Sequence, residues 1–187
     1  MKMLHALPAA LALLLSACSP GSSGNSATST EAAATSQAGL PVVPLIVESK
    51  GRKLRFDVEV AMTEQQQEQG LMFRKELAPD KGMIFPMNPP RTASFWMKDT
   101  LIPLDIIFIR TDGSIALVAA DRQPYVREPV SAGIPVSGVL ELPGGRAAEL
   151  GIMEGDVVHW GKCAAQVVPD AQWNGLDFCP PEPAVAN

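Results

Sequence analysis

At 187 residues with 15 basic and 20 acidic side chains, the chain carries a net charge of −5, and its Lys and Arg are dispersed. That excludes a binder that tracks nucleic-acid phosphates, which needs dense positive charge. The length suits one domain with one core, and beyond the N-terminal region no apolar run is long enough to cross a membrane as a helix.

The N-terminus reads Met-Lys-Met-Leu-His, then an uncharged stretch from Ala6 to Leu15. Lys2 supplies a positive start and the apolar stretch follows it, the pattern of an export signal. At about ten residues it is too short to span a bilayer, which needs ~20. It ends Leu15-Ser16-Ala17-Cys18. Small residues before a cysteine resemble the lipobox of bacterial lipoproteins. The resemblance implies cleavage of residues 1–17 and attachment of acyl chains such as palmitate at Cys18, the new first residue. The plainer alternative is an ordinary secretory signal with an incidental cysteine. Each buried methylene contributes ~0.8 kcal/mol, so two or more chains hold a protein stably on a membrane. Ser19, rather than Asp, follows the cysteine. In a host with two membranes, likeness to sorted lipoproteins places the chain in the outer membrane, facing the periplasm.

Loss of residues 1–17 leaves 14 basic against 20 acidic side chains, a net of −6. Residues 18–40 are the anchor cysteine and a Ser-, Gly-, Thr- and Ala-rich tether with one charge, Glu31, too polar to order itself. The globular domain is expected over 41–162, followed by a Pro-rich tail over 163–187. Cys163 and Cys179 are the remaining cysteines, and in an oxidising compartment a disulfide is the favoured reading. A reactive thiol beside Lys162 is the alternative.

Within the domain, Pro44–Glu48 and Lys53–Val60 form a hairpin turning at Ser49-Lys50-Gly51. Its second strand alternates strictly, with Leu54, Phe56, Val58 and Val60 on one face. Thr63-Glu64-Gln65-Gln66 is a capping box opening a short helix, and Gly70 suits its left-handed end. Gly82–Phe85 and Thr92–Met97 are strand candidates around a loop containing Pro86, Pro89 and Pro90. Leu104–Arg110 and Ser114–Ala119 flank Thr111-Asp112-Gly113, a hairpin signal. Val139–Leu142 is a further strand, Gly144–Gly151 a second short helix, and Asp156–Trp160 the last strand. The expectation is a mainly β single domain with two short helices, barrel-like or sandwich-like.

Several motifs occur in a fixed order: Gln69-Gly-Leu-Met-Phe-Arg74, Asp80-Lys-Gly-Met-Ile-Phe85, Phe95-Trp-Met-Lys-Asp-Thr100, Ile102-Pro-Leu-Asp-Ile-Ile-Phe-Ile109, Val139-Leu-Glu-Leu142 and Gly151-Ile152 before Gly155-Asp156. Together they resemble the domain-of-unknown-function 192 family over residues 45 to 160. The resemblance implies a small β-rich fold and brings no established activity, substrate or cofactor. Asp99 stands where the family pattern has Asn, so a role needing a neutral amide there is not carried over.

Asp105 shares a strand face with Ile107 and Ile109, and Glu141 sits inside Val-Leu-Glu-Leu. Buried carboxylates need a partner or they protonate. Arg74, Lys98, Asp105 and Glu141, with Trp96 as an apolar wall, are the candidates for a ligand pocket near Phe95–Asp105. The alternative is an ion-pair network that fixes loops. Asp105 and Glu141 are also the candidates for acid–base catalysis in a hydrolase-like enzyme, with Arg74 or Lys98 holding an anion. His5 leaves with the signal, so His159 alone argues against a Ser-His-Asp triad or a multi-histidine zinc site. Met72, Met83, Met87 and Met97, with Met62 and Met153 outside that cluster, raise a soft-metal (copper) site, against the alternative of Met filling an irregular core. Gly145–Val158 has the helix–turn–strand look of half a PDZ domain, but no carboxylate-binding loop precedes it. The leading reading is a non-catalytic envelope module that binds a protein or small molecule, with no cofactor and no nucleic acid.

Overall fold

The computed structural model describes residues 39–165 and 175–180. The signal, Cys18 and nearly all of the tether lie outside the described residues.

Strand β1 (Val42–Ser49) turns through Lys50 and Gly51 into β2 (Arg52–Val60). Both turn residues have positive φ, 50° and 74°, matching the twist of a two-residue hairpin. Helix α1 (Glu64–Gln69) starts at Thr63, whose hydroxyl accepts from the Gln66 amide while the Gln66 side chain accepts from the Thr63 amide. Then come β3 (Lys81–Thr92), β4 (Leu104–Ile109), β5 (Ile115–Arg122) and β6 (Pro135–Pro143). Helix α2 (Arg146–Leu150), β7 (Val157–Trp160) and a third short helix, α3 (Lys162–Ala165), complete the order.

The seven strands form one sheet in the order β5-β4-β6-β3-β2-β1-β7. Every pair is antiparallel except β2–β3, whose parallel pairing demands a crossover, and α1 lies in it. The mainly β, single-domain expectation holds, but the sheet is not closed into a barrel. Its two outermost strands approach each other only around the Ser114↔Val157 bridge, with Ile115 N donating to Asp156 O at 2.8 Å.

Two apolar layers follow from the strand alternation. One face gathers Leu45, Val47, Phe56, Val58, Ile84, Ile107, Leu140, Leu142 and Trp160. The other face of the central strands gathers Met83, Phe85, Ile106, Phe108 and Val139, covered by Ala93, Met97, Val126 and Val130 from irregular segments. Strand β4 is therefore buried along its whole length.

Thr92–Met97 is not the strand expected. Strand β3 itself runs on through the prolines to Thr92, tolerating them where its register with β6 shifts between Pro86 and Arg91. Phe95 makes only an isolated bridge to Val130. Gly70 has the positive φ expected (48°), but its ψ of −132° takes it out of the left-handed helical region.

The packed domain also reaches past Lys162. Phe178 stacks on Trp160 with ring centroids 4.5 Å apart, inside the first apolar layer. Cys163 and Cys179 are disulfide-bonded, their Cα atoms 5.2 Å apart, so Cys163 is no reactive thiol beside Lys162.

Candidate functional site

Antiparallel register separates the two carboxyls of interest. Asp105 pairs with Leu142, and Ile106 pairs with Glu141. Paired residues share a face and successive residues alternate, so Asp105 and Glu141 project from opposite faces of the sheet. They cannot act on one substrate, and the acid–base pair read from the sequence is removed.

Asp105 is fully buried and fully engaged. One oxygen accepts from the amides of Asp121 (2.7 Å) and Gly145 (2.9 Å), the other from Ala147 (2.6 Å). Gly145 has no side chain with which to cap α2, and Asp105 supplies the acceptor from the neighbouring strand. Its role is to pin the β5 end and the start of α2 to the sheet.

Arg74 is engaged as well, in a two-pronged pair with Glu59 at 2.6 and 2.5 Å. Lys98 is exposed, with Nζ 5.9 Å from the centre of the Trp96 ring. Asp105 is therefore separated from Glu141, and neither Arg74 nor Lys98 is among the residues that line a cleft with it. Trp96 and Glu141 share one.

Both line a cleft of about 330 Å³ on the second apolar face, walled by Leu71, Met72, Phe85, Met87 and Phe95, with Glu64, Gln67, Glu68, Arg91 and Thr100 adding polar groups. Trp96 is half exposed. Glu141 is 5% exposed and has no hydrogen-bond or ion-pair partner among the described residues. Burial alone pushes its carboxyl up to about 8, so at neutral pH it is largely the neutral acid. A carboxyl in an apolar wall without a protein partner is costly, and Glu141 lines the cleft from which one can arrive.

The cleft is shaped by α1. Gln67 Nε2 donates to Ala61 O (3.1 Å) and Pro86 O (3.0 Å), and its Oε1 accepts from Arg91 (2.8 Å). On the other side, Phe73 N donates to Asp99 O (2.9 Å) and Met97 N to Val126 O (2.9 Å). Phe73, Asp99 and Tyr125 all have positive φ, between 52° and 63°. Asp, like Asn, tolerates that region, so the position of Asp99 is explained by backbone conformation rather than by a neutral amide.

The candidate methionines are divided between core, cleft wall and surface. Met83, Met87 and Met97 are buried in the second apolar layer, and Met72 is half-buried on the cleft wall. Met62 and Met153 are exposed. Among the described residues no group of three or more His, Cys, Asp or Glu is placed to hold a metal. His159, on β7, lies 4.0 Å from Glu48, yet burial outweighs that carboxylate and holds the imidazole below its usual range.

Residues 45–160 match the model of the domain-of-unknown-function 192 family, described as "Uncharacterized ACR". The chain belongs to the DUF192 family. A crystal structure of a protein of unknown function from Novosphingobium aromaticivorans DSM 12444 is 46% identical, with a TM-score of 0.67, covering 69% of this chain and 93% of that one. One from Sinorhizobium meliloti 1021, provisionally described as a transcription regulator, is 35% identical, with a TM-score of 0.63, covering 65% of this chain and 95% of that one. No curated protein matches the chain.

In this DUF192 domain, the cleft residues that sequence reasoning passed over include Gln67, Phe85 and Arg91. Two signals pointed there. Gln67 follows the capping box directly, and Phe85 and Phe95 lie inside the family motifs, where they stack edge to face at 4.9 Å.

Proposed function

We propose that this DUF192 chain is a lipid-anchored envelope protein whose domain binds a small molecule, without catalysis, in the cleft between Trp96 and Glu141. The observation that carries the binding reading is Glu141: an unpartnered, nearly buried acid on the wall of an open cleft. Other acids set into the fold are satisfied, Asp105 by three backbone amides and Glu59 by Arg74. One left unsatisfied beside a cavity is poised for a ligand group. Asp105, the other acid of the pair read from the sequence, lies across the sheet. The anchor rests on the lipobox-like run ending at Cys18 and on a Ser-rich tether long enough to hold the domain off a lipid surface.

The test is native mass spectrometry of the full chain after incubation with a small-molecule extract of the host envelope. Wild type should retain a noncovalent mass that Glu141→Leu loses. No retained mass, or equal retention by both, sinks the binding reading. The same spectra should show an acyl mass on Cys18 that Cys18→Ser abolishes, and an unacylated Cys18 counts against the anchor.

A further inference from the structure

We propose that the cleft receives a small organic cation, an ammonium or guanidinium on an apolar body, with Glu141 as its counter-charge and Trp96 at its entrance. This rests on the binding reading above and names the ligand class.

Three observations select a cation. First, the charged groups lining the cleft are Glu64 and Glu68 on α1, Glu141 on β6 and Arg91 on β3. Acids outnumber bases three to one, and the single base, Arg91, is exposed at the rim, where one N–H donates to Gln67 at 2.8 Å. Second, the walls are aromatic, from Phe85, Phe95 and Trp96. The faces of such rings attract cations, Trp most strongly, and the Trp96 ring already attracts the Lys98 ammonium at 5.9 Å. Third, Glu141 lacks any partner of its own, so an arriving cation supplies the one interaction that lets it ionise in an apolar setting. A cavity of about 330 Å³ holds a compact ligand of this kind.

The proton balance follows. Before binding, Glu141 holds its proton at neutral pH, because burial has pushed its carboxyl up to about 8. When the cation docks, the acid gives that proton to solvent and remains as the carboxylate of a buried ion pair. No histidine lines the cleft. Binding therefore releases about one proton per ligand at pH 7.

The experiment is calorimetric titration of the full chain with phenethylamine and, as its neutral counterpart, 2-phenylethanol, in two buffers of different ionisation heat. Expected is binding of the amine at least roughly tenfold tighter than the alcohol, with about one proton released at pH 7. Amine affinity should climb by nearly tenfold between pH 6 and 7 and level off above about 8. Glu141→Gln, close in shape to the neutral acid, should abolish proton release and weaken the amine by roughly tenfold or more, leaving the alcohol unchanged. Trp96→Ala, at a half-exposed position, should weaken the amine more than the alcohol. Alcohol binding as tight as the amine and insensitive to Glu141→Gln overturns the cation while leaving the cleft as a binding site. Failure of both compounds to bind also overturns the cation, and the retained-mass experiment then decides the broader reading independently.

Discussion

Asp105 accepts three backbone N–H bonds and Glu141 none, although the two occupy neighbouring rungs of β4 and β6. The contrast gives opposite mutational signs. Asp105→Ala takes the acceptor from the amides of Asp121, Gly145 and Ala147, the last of them buried. Each bond to a charged acceptor contributes ~1.5–3 kcal/mol, and because the three act as a unit the loss should be about 3–5 kcal/mol, read as a lower urea midpoint. Glu141→Leu removes a polar group that nothing satisfies and should stabilise the domain by about 1–3 kcal/mol at neutral pH. The pH dependence separates this from simple packing. Glu141 has its folded value raised from 4.5 to about 8, so the folded state holds a proton that the unfolded state has released. Its favourable contribution is fully present below pH 4.5 and is lost as pH rises towards 8, at about 1.4 kcal/mol per unit. Urea midpoints at pH 5, 6, 7 and 8 should therefore diverge between wild type and Glu141→Leu, the variant gaining most at pH 8. Parallel curves would mean that the Glu141 carboxyl does not stay protonated in the fold.

At the level of elements, the cleft depends on where α1 is held, and Gln67 does the holding. Its amide bridges Ala61 O at the end of β2 and Pro86 O within β3, and it also fixes Arg91. Gln67→Ala should cost about 1–2 kcal/mol in urea stability. It should also reduce the ligand mass retained in native spectra, because the α1 wall is freed, whereas Gln65→Ala on the exposed side should do neither. What was readable in the sequence here is what is encoded locally. The Thr63–Gln66 capping box, the Lys50-Gly51 turn and the alternation of Leu54, Phe56, Val58 and Val60 each need only neighbours a few residues away. Strand β3 was readable only to Phe85, because Pro86, Pro89 and Pro90 are loop signals on their own. Their place in a strand is set by β6, which pairs with Pro86 and again with Arg91 across a register shift. Thr92–Met97 looked like a strand for the converse reason: Ala93 and Met97 are buried, but as a cover over the central strands rather than as a ladder. The candidate site was half legible. Trp96 and Glu141 were named from composition and pattern, and both line the cleft. Asp105, Arg74 and Lys98 were named on the same grounds and do not line it. The phase of each strand can be read from its own residues, whereas the rung on which two strands meet cannot, and that rung places Asp105 and Glu141 back to back.

Across the whole molecule, an open sheet leaves β7 as an edge, and the segment at 175–180 closes over it. Trp160 N donates to Phe178 O at 3.2 Å, Trp160 Nε1 donates to Gly175 O at 3.2 Å, and Phe178 enters the apolar layer beside the indole. Without that segment, Trp160, the largest side chain of the core, would lose its stacking partner and its indole hydrogen bond. The Cys163–Cys179 bond holds the segment in place over a sequence separation of 16 residues. By the chain-entropy argument, closing a loop of this length contributes ~3 kcal/mol through the unfolded state. The bond forms only where thiols can oxidise, so this stability is available to the chain in an oxidising compartment and not in a reducing one. The expected outcome is that material made in the periplasm shows no free thiol at these two positions. It should also unfold at a higher urea concentration than material made and kept reduced, with Cys163→Ser lowering the first to the level of the second. If periplasmic protein instead carries two free thiols and loses nothing on Cys163→Ser, then the Trp160–Phe178 contact holds the edge without covalent help, and the oxidising compartment loses its structural argument.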